Sequence, residues 1–531
     1  MQYYVRRPAV WARRGMVATS EAQAAMAGLQ VLREGGNAVD AAVATSAALC
    51  VTEPMSTGIG GDMFALVWSA KKRKVYALNG SGRAPRSASL EELRRRGLTE
   101  IPQTSPYAVS VPGVVDGWWA LLKAHGTMRL SNLLKPAIRY AQDGFVVPKV
   151  IARAWEANLP KLARYPSGSE LMLNGRAPRA GEVMRLPQLA NTLRDIAKRG
   201  PKAFYKGRTG EKIAAYVRER GGWLDAFDLA NHRSTWDEPI STEYRGVTCW
   251  ECPPNGQGLA ALIALNIIEG LDIRAMGFQS ADTYHHLIEA MRLAFADALQ
   301  YIADPRRTSV PVSPLLSKGY AGERRSLISY DRVLAQPPAG QMLVHADTAY
   351  LTVIDGDGNA CSFINSLYEA FGTGLVVPGT GVVLQNRASL FSLDPDHPNA
   401  LEPEKRPYHT IIPGMATRDG ELWLSFGVMG GFMQPQGHLQ VLVNMIDFGL
   451  DPQEALDALR FCIQLGDGVA VEEELPVGVM EELRRWGHTI LPIGDTERNL
   501  FGGGQIIERD TDTGVLLGGS EPRKDGCAIG W

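Results

Sequence analysis

The sequence predicts an α/β protein whose chain opens with two helices and turns to strands in its last third. Three observations carry this expectation. Apolar residues recur at helical spacing over 21–33 and 38–51, short strand-like runs flank a basic turn over 63–78, and strand patterns dominate after residue 348. A length of 531 residues accommodates one large domain of this class or several average ones.

Taken in order, Ser20 stands where it can cap the first helix, which Gly35-Gly36-Asn37 ends. The Ala-rich second helix leads into Thr57-Gly58-Ile59-Gly60-Gly61-Asp62. No Gly-Lys-Ser/Thr follows, so this loop reads as a tight turn beside a ligand pocket rather than a phosphate cradle. Runs at 63–68 and 75–78 read as paired strands around Lys71-Lys72-Arg73-Lys74, and residues 110–300 show mostly helical patterns, including one over 281–303. A Pro- and Gly-containing stretch at 336–341 reads as an exposed linker. Strands at 350–354 and 360–364 then enclose the turn at 355–358, and a further strand at 421–426 follows Asp419-Gly420. No internal repeat is present.

Hydrophobic residues make up 45% and charged residues 21%, with 56 Gly and 32 Pro, which describes a folded, loop-rich chain. A net charge of -2 supplies no field for nucleic acid or an anionic membrane, and basic runs such as Arg94-Arg95-Arg96 read as solvated ends. The first residues lack the apolar core of a secretory signal, and no apolar run is long enough for a membrane span. Six scattered cysteines form no disulfide framework, so a cytoplasmic location is expected. Cys249-Trp250-Glu251-Cys252 lacks a second metal pair. His285 and His286 would point about 100° apart on a helix, so neither motif calls for a metal, and no organic cofactor is implied.

The candidate nucleophile is Thr348, which follows Asp347 at the start of a strand. A chain cut between the two would give Thr348 a hydroxyl and a free α-amine to serve as its base. That amine has a reference pKa of about 7.7 to 8.0, so a neutral fraction accepts the proton near neutral pH.

Six segments in order, Glu34-Gly35-Gly36-Asn37-Ala38-Val39-Asp40-Ala41-Ala42-Val43-Ala44, Pro253-Pro254-Asn255-Gly256-Gln257-Gly258, Asp347-Thr348, Phe371-Gly372-Thr373-Gly374, Lys405-Arg406-Pro407 and Gly430-Gly431, resemble the successive motifs of γ-glutamyltranspeptidases. The resemblance spans nearly the whole chain. It implies a four-layer αββα sandwich of the N-terminal nucleophile hydrolase type, made as a precursor that cuts itself into a large piece, 1–347, and a small piece, 348–531. It also implies Thr348 as nucleophile, Ser366 as its supporting hydroxyl, and the amides of Gly430 and Gly431 as oxyanion donors. The two pieces are then each other's partners, and a homo-oligomer of the processed unit is allowed.

Departures from the family pattern bear on the substrate. The carboxylate-binding arginine is replaced by Ser81, with Arg83 as the nearest substitute, and the asparagine two residues after the supporting hydroxyl is Tyr368. The ammonium-binding aspartate is Leu390, Arg387 takes the place of the first polar ligand, and the paired serines are His409 and Thr410. An arginine without that aspartate repels an ammonium and attracts an anion. The expected substrate is a small amide bearing a carboxylate, such as oxamate, bound by Arg387 with Tyr368, His409, Thr410 or Arg83. The alternatives are a γ-glutamyl hydrolase or transpeptidase, and an uncleaved, non-catalytic member.

Overall fold

The computed structural model describes residues 7–334, 347–464 and 468–531. The linker expected at 336–341 lies outside them. Two seven-stranded sheets dominate. In the first the strands run Val10–Ala12, Leu516–Ser520, Gly503–Arg509, Glu421–Met429, Gly414–Arg418, Val247–Glu251 and Ile240–Tyr244. In the second they run Cys527–Gly530, Gly15–Thr19, Asp347–Asp355, Ala360–Tyr368, Asp62–Ser69, Lys74–Gly80 and Thr235–Asp237.

The opening helices form as Ala22–Arg33 and Ala38–Thr52. Glu21, not Ser20, caps the first, its carboxylate accepting the N–H groups of Gln23 and Ala24. The Ser20 hydroxyl instead donates to Glu53, which leaves the longer side chain to reach the helix end. Asn37 caps the second helix in a reciprocal box with Asp40. All fifteen residues of that second helix are buried, which explains why it is apolar on every side.

The region 110–300 is mostly helical as expected, but it also contributes the strands Thr235–Asp237, Ile240–Tyr244 and Val247–Glu251. The last two form an edge hairpin whose alternation is only half buried, so its pattern is weak in sequence.

Three apolar clusters organise the molecule. One joins side chains of both sheets, among them Met16, Phe64, Tyr350 and Ile364 with Met415, Met429 and Ile507. A second joins the opening helices to the other face of the second sheet, through Val17, Ala65, Leu351 and Phe363. The third packs the helices Gly258–Glu269, Ala281–Tyr301 and Met433–Ile446 on the first sheet through Ala416, Leu424 and Ile506. The basic turn at Lys71–Lys74 is exposed.

Candidate active site

Thr348 is the second residue of its strand, between Gly15–Thr19 on one side and Ala360–Tyr368 on the other. The ladder pairs Asp347 with Tyr368 but Ala349 with Asn365, so a bulge sets Ser366 and Leu367 opposite Thr348. A bulge re-aims a side chain away from strict alternation. Here Thr348 Oγ1 comes within 3.1 Å of Ser366 Oγ, which also accepts the Tyr368 N–H at 2.8 Å. Thr348 is 1% exposed and Ser366 0%.

The glycine-rich loop brings a carboxylate to this pair. Asp62 opens the strand that pairs with Ala360–Tyr368 and lies directly across from Ser366, so the two side chains share a face. Its Oδ1 accepts from the Gly82 amide at 3.0 Å and from Gln385 Nε2 at 2.9 Å, and its Oδ2 meets His409 Nε2 at 3.1 Å. Burial pushes the Asp62 carboxyl up to about 7, against the opposing pull of Arg387, Gln385 and the Gly82 amide. Burial also drives the His409 imidazole well below its ordinary range, helped by Arg387 and Arg406. The His409 imidazole is therefore uncharged at neutral pH, and its contact with Asp62 is a hydrogen bond more than an ion pair.

Arg387 begins the short turn Arg387–Leu390 and is fully buried. Its Nη1 donates to Thr410 Oγ1 at 2.6 Å, and the guanidinium lies 4.6 Å from the centre of the Tyr368 ring. Tyr368 adopts φ 78°, a conformation that L side chains rarely occupy and that costs on the order of 1–3 kcal/mol. Among the described residues, Arg387 Nε and Nη2 have no acceptor, and Tyr368 Oη has no partner. Burial lowers the Arg387 pKa to about 10, partly offset by Asp62, so it remains a cation at neutral pH. Buried donors are almost always satisfied, so two orphaned guanidinium nitrogens beside an orphaned phenol mark a place built for an acceptor.

Gly430 and Gly431 turn the chain from the strand Glu421–Met429 into the helix Met433–Ile446, with φ 131° and 58° that favour glycine. Among the described residues no acceptor takes either amide N–H. Gln257 fixes this turn: its Nε2 donates to the carbonyls of Gly431 at 2.8 Å and Thr410 at 2.6 Å, while Tyr408 Oη donates to its Oε1 at 3.0 Å.

One contact network thus gathers Thr348, Ser366, Tyr368, Arg387 and Thr410, with His409 joined to it through Asp62. Arg83 is not part of it: this half-buried side chain donates to the Arg233 carbonyl at 3.4 Å, and the Ser81 hydroxyl donates to Asn79 Oδ1 at 2.7 Å. Sequence reasoning missed Asp62 and Gln257 as functional. Both lie inside segments that were noticed, the glycine-rich loop and Pro253–Gly258, but their partners Ser366, His409 and Gly431 are far away in the chain. His285 Nδ1 packs 2.8 Å from His488 Nε2, and His286 Nδ1 donates to the Asp282 carbonyl. Cys249 lies in the middle of the strand Val247–Glu251 and Cys252 just after it; both are buried, and burial pushes both thiols up.

The family model for gamma-glutamyltranspeptidase matches residues 24–531. The chain is 38% identical over 522 residues to the glutathione hydrolase-like YwrD proenzyme of Bacillus subtilis (strain 168), covering 97% of this chain and 98% of that protein. It is 34% identical over 529 residues to the oxamate amidohydrolase proenzyme of Klebsiella pneumoniae, covering 97% and 98%. The crystal structure of cephalosporin acylase from Bacillus halodurans matches with a TM-score of 0.93 at 48% identity, over 100% of this chain and 98% of that one. The chain belongs to the gamma-glutamyltranspeptidase family and is a proenzyme hydrolase of the N-terminal nucleophile type.

Proposed function

We propose that this protein is a self-processing threonine amidohydrolase that takes a small amide bearing a carboxylate, with oxamate as the leading candidate. The observation that carries the reading is the pair of unpartnered guanidinium nitrogens of buried Arg387, beside Tyr368, which is itself joined through Ser366 to the Thr348 hydroxyl. Such donors suit the two oxygens of a planar carboxylate. In this reading the two sheets and their covering helices form the four-layer αββα sandwich, which the three apolar clusters support.

Processing begins when Thr348 Oγ attacks the carbonyl carbon of Asp347. The peptide C–N bond breaks as the ester forms, which frees the α-amine, and water then cleaves the ester to restore the Thr348 hydroxyl and leave Asp347 with a terminal carboxylate. In turnover that amine takes the hydroxyl proton while Oγ attacks the substrate amide. The carbonyl oxygen becomes an oxyanion under the N–H groups of Gly430 and Gly431, where loss of one such donor typically costs about 2.7–4 kcal/mol. The amine product leaves with the proton, and water releases the acid. Ser366 holds the Thr348 hydroxyl throughout, and Arg387 holds the carboxylate.

A γ-glutamyl substrate is the second reading, favoured by the 38% identity to a glutathione hydrolase-like protein. Against it, Leu390 supplies no charge for an α-ammonium, and Arg387 repels one. Ammonia release from oxamate, measured beside p-nitroaniline release from a γ-glutamyl p-nitroanilide, separates the two. Turnover of the anilide alone would overturn the oxamate reading. The six unpaired cysteines support a cytoplasmic location.

A further inference from the structure

Asp62 is tied to Arg387 from two sides without touching it. Its Oδ1 accepts from the side-chain amide of Gln385, two residues before Arg387, and its Oδ2 meets His409. His409 in turn precedes Thr410, whose hydroxyl accepts from Arg387 Nη1. His409 Nδ1 accepts the Ile411 N–H at 3.4 Å, so the ring proton sits on Nε2 and points at Asp62. Asp62, His409 and Arg387 are each 0% exposed.

The charges around this pair are few. Among the described residues no carboxylate touches Arg387, because Nη1 goes to Thr410 while Nε and Nη2 have no acceptor. Asp62 is the carboxylate that bears most strongly on it, ahead of Glu369, and Arg387 is the strongest charge acting on Asp62, ahead of Arg406. Arg406 is held elsewhere, donating to the Ser81 carbonyl at 3.0 Å and the Thr235 hydroxyl at 3.1 Å. Burial keeps Tyr205, Tyr368 and His409 uncharged. In the processed chain the Thr348 α-amine adds a further titratable group. Asp62 is thus the internal counter-charge of a guanidinium that still has room for an incoming anion.

A substrate carboxylate arriving at Arg387 would leave two anions beside one cation, all out of water. Holding a buried ion without a partner is strongly unfavourable. Drawing a proton onto a carboxyl one pH unit above its own pKa lowers affinity only about tenfold. Proton uptake is the smaller penalty.

We propose that Asp62 is a specificity-determining residue: it takes up a proton when a carboxylate occupies Arg387, so that the substrate anion and a proton bind together. The assignment rests on the functional reading above. The proton comes from water and returns to it when the acid product leaves. Below about pH 7 Asp62 already carries its proton and affinity is flat with pH, whereas above that value affinity falls. Turnover also needs the Thr348 α-amine without its proton, so kcat/KM rises with the amine and falls with Asp62.

The test uses the processed enzyme and oxalate, which keeps the carboxylate of oxamate and has no amide to cleave. Infrared difference spectra with isotope-labelled oxalate are expected to show a protonated carboxyl band that grows on binding at about pH 8 and does not change at about pH 5.5, where it is already present. Protonation of the Thr348 amine gives no such band, so the two groups are told apart. In processed Asp62→Asn the growth is expected to vanish, oxalate affinity at about pH 8 to exceed the parent's about 5-fold or more, and kcat/KM on oxamate to lose its falling limb. Oxalate binding at that pH without a new carboxyl band overturns the inference and leaves Arg387 as the carboxylate site. No oxalate binding at about pH 5.5, where Asp62 offers no opposing charge, overturns both. The parent spectra decide between these outcomes even where Asp62→Asn fails to fold or to process.

Discussion

Thr348, Asp62 and Arg387 divide the work of the site, and each has its own signature. Thr348→Ala is expected to stay a single chain by intact mass and to lose all turnover, since nucleophile and base both originate in that residue. For Arg387→Met we expect kcat/KM on a carboxylate amide to fall about 100-fold, in line with about 3 kcal/mol for hydrogen bonds to a charged group. The same variant is expected to melt no lower than the parent, because it removes a buried cation whose Nε and Nη2 lack acceptors among the described residues. A stability loss with unchanged KM would instead make Arg387 a structural residue. Asp62 adds a pH signature. Its folded pKa of about 7 lies above the reference of about 3.9, so the folded protein holds an extra proton between these values. The stability carried by protonated Asp62 is complete below about pH 4 and is lost as pH rises through 7. Melting curves of Asp62→Asn beside the parent, both on the Thr348→Ala background, should therefore show the asparagine variant gaining on the parent from pH 5 to pH 8. A gap that does not change with pH would contradict the raised carboxyl.

At the scale of elements, the site depends on how closely a glycine loop approaches a strand. A Cβ on Gly61 would lie 2.2 Å from the Ser366 carbonyl oxygen, which is backbone and cannot swing aside. A Cβ on Gly58, in the same loop, meets nothing nearer than the Leu367 side chain at 3.7 Å. Gly61→Ala is thus expected to lower stability by at least about 1–3 kcal/mol and to slow self-cleavage, since Ser366 must move away from Thr348. Gly58→Ala should be close to neutral in both, as read by thermal melts and by the time course of the intact mass. This loop also shows what was legible beforehand. Its turn, the helix before it and the strand after it follow from local chemistry, as does the first helix, whereas Ser366 was reached only through the family resemblance. The bulge opposite Thr348 was not legible, because it is a register shift between two strands rather than a feature of one. Nor was the meeting of Asp62 with His409, 347 residues apart, or the role of Gln257 beneath Gly431, because such contacts exist only once both sheets are assembled.

Across the whole molecule, the two expected pieces are interleaved rather than adjacent. In the second sheet the strands Asp347–Asp355 and Ala360–Tyr368 sit between Gly15–Thr19 and Asp62–Ser69, and the first sheet likewise sets Val247–Glu251 beside Gly414–Arg418. The cluster between the sheets draws Phe64 and Leu66 from one piece and Tyr350, Ile364 and Met415 from the other. A cut before Thr348 removes one peptide bond at the end of a strand and none of these contacts, whereas separating the pieces would strip both sheets of central strands and expose the apolar cluster to water. Each buried side chain of that size contributes about 1.5–3 kcal/mol, so the pieces should remain associated without any covalent link. The expected outcome is that cleaved protein elutes from gel filtration as one species containing 1–347 and 348–531, melts in a single transition, and parts only in denaturant. Expression of 1–347 alone should give an insoluble or unfolded chain. A soluble, cooperatively folding 1–347 would show that the large piece is a domain in its own right, and the sheet order, which leaves Gly15–Thr19 without its partner strand on the Asp347 side, argues that it is not.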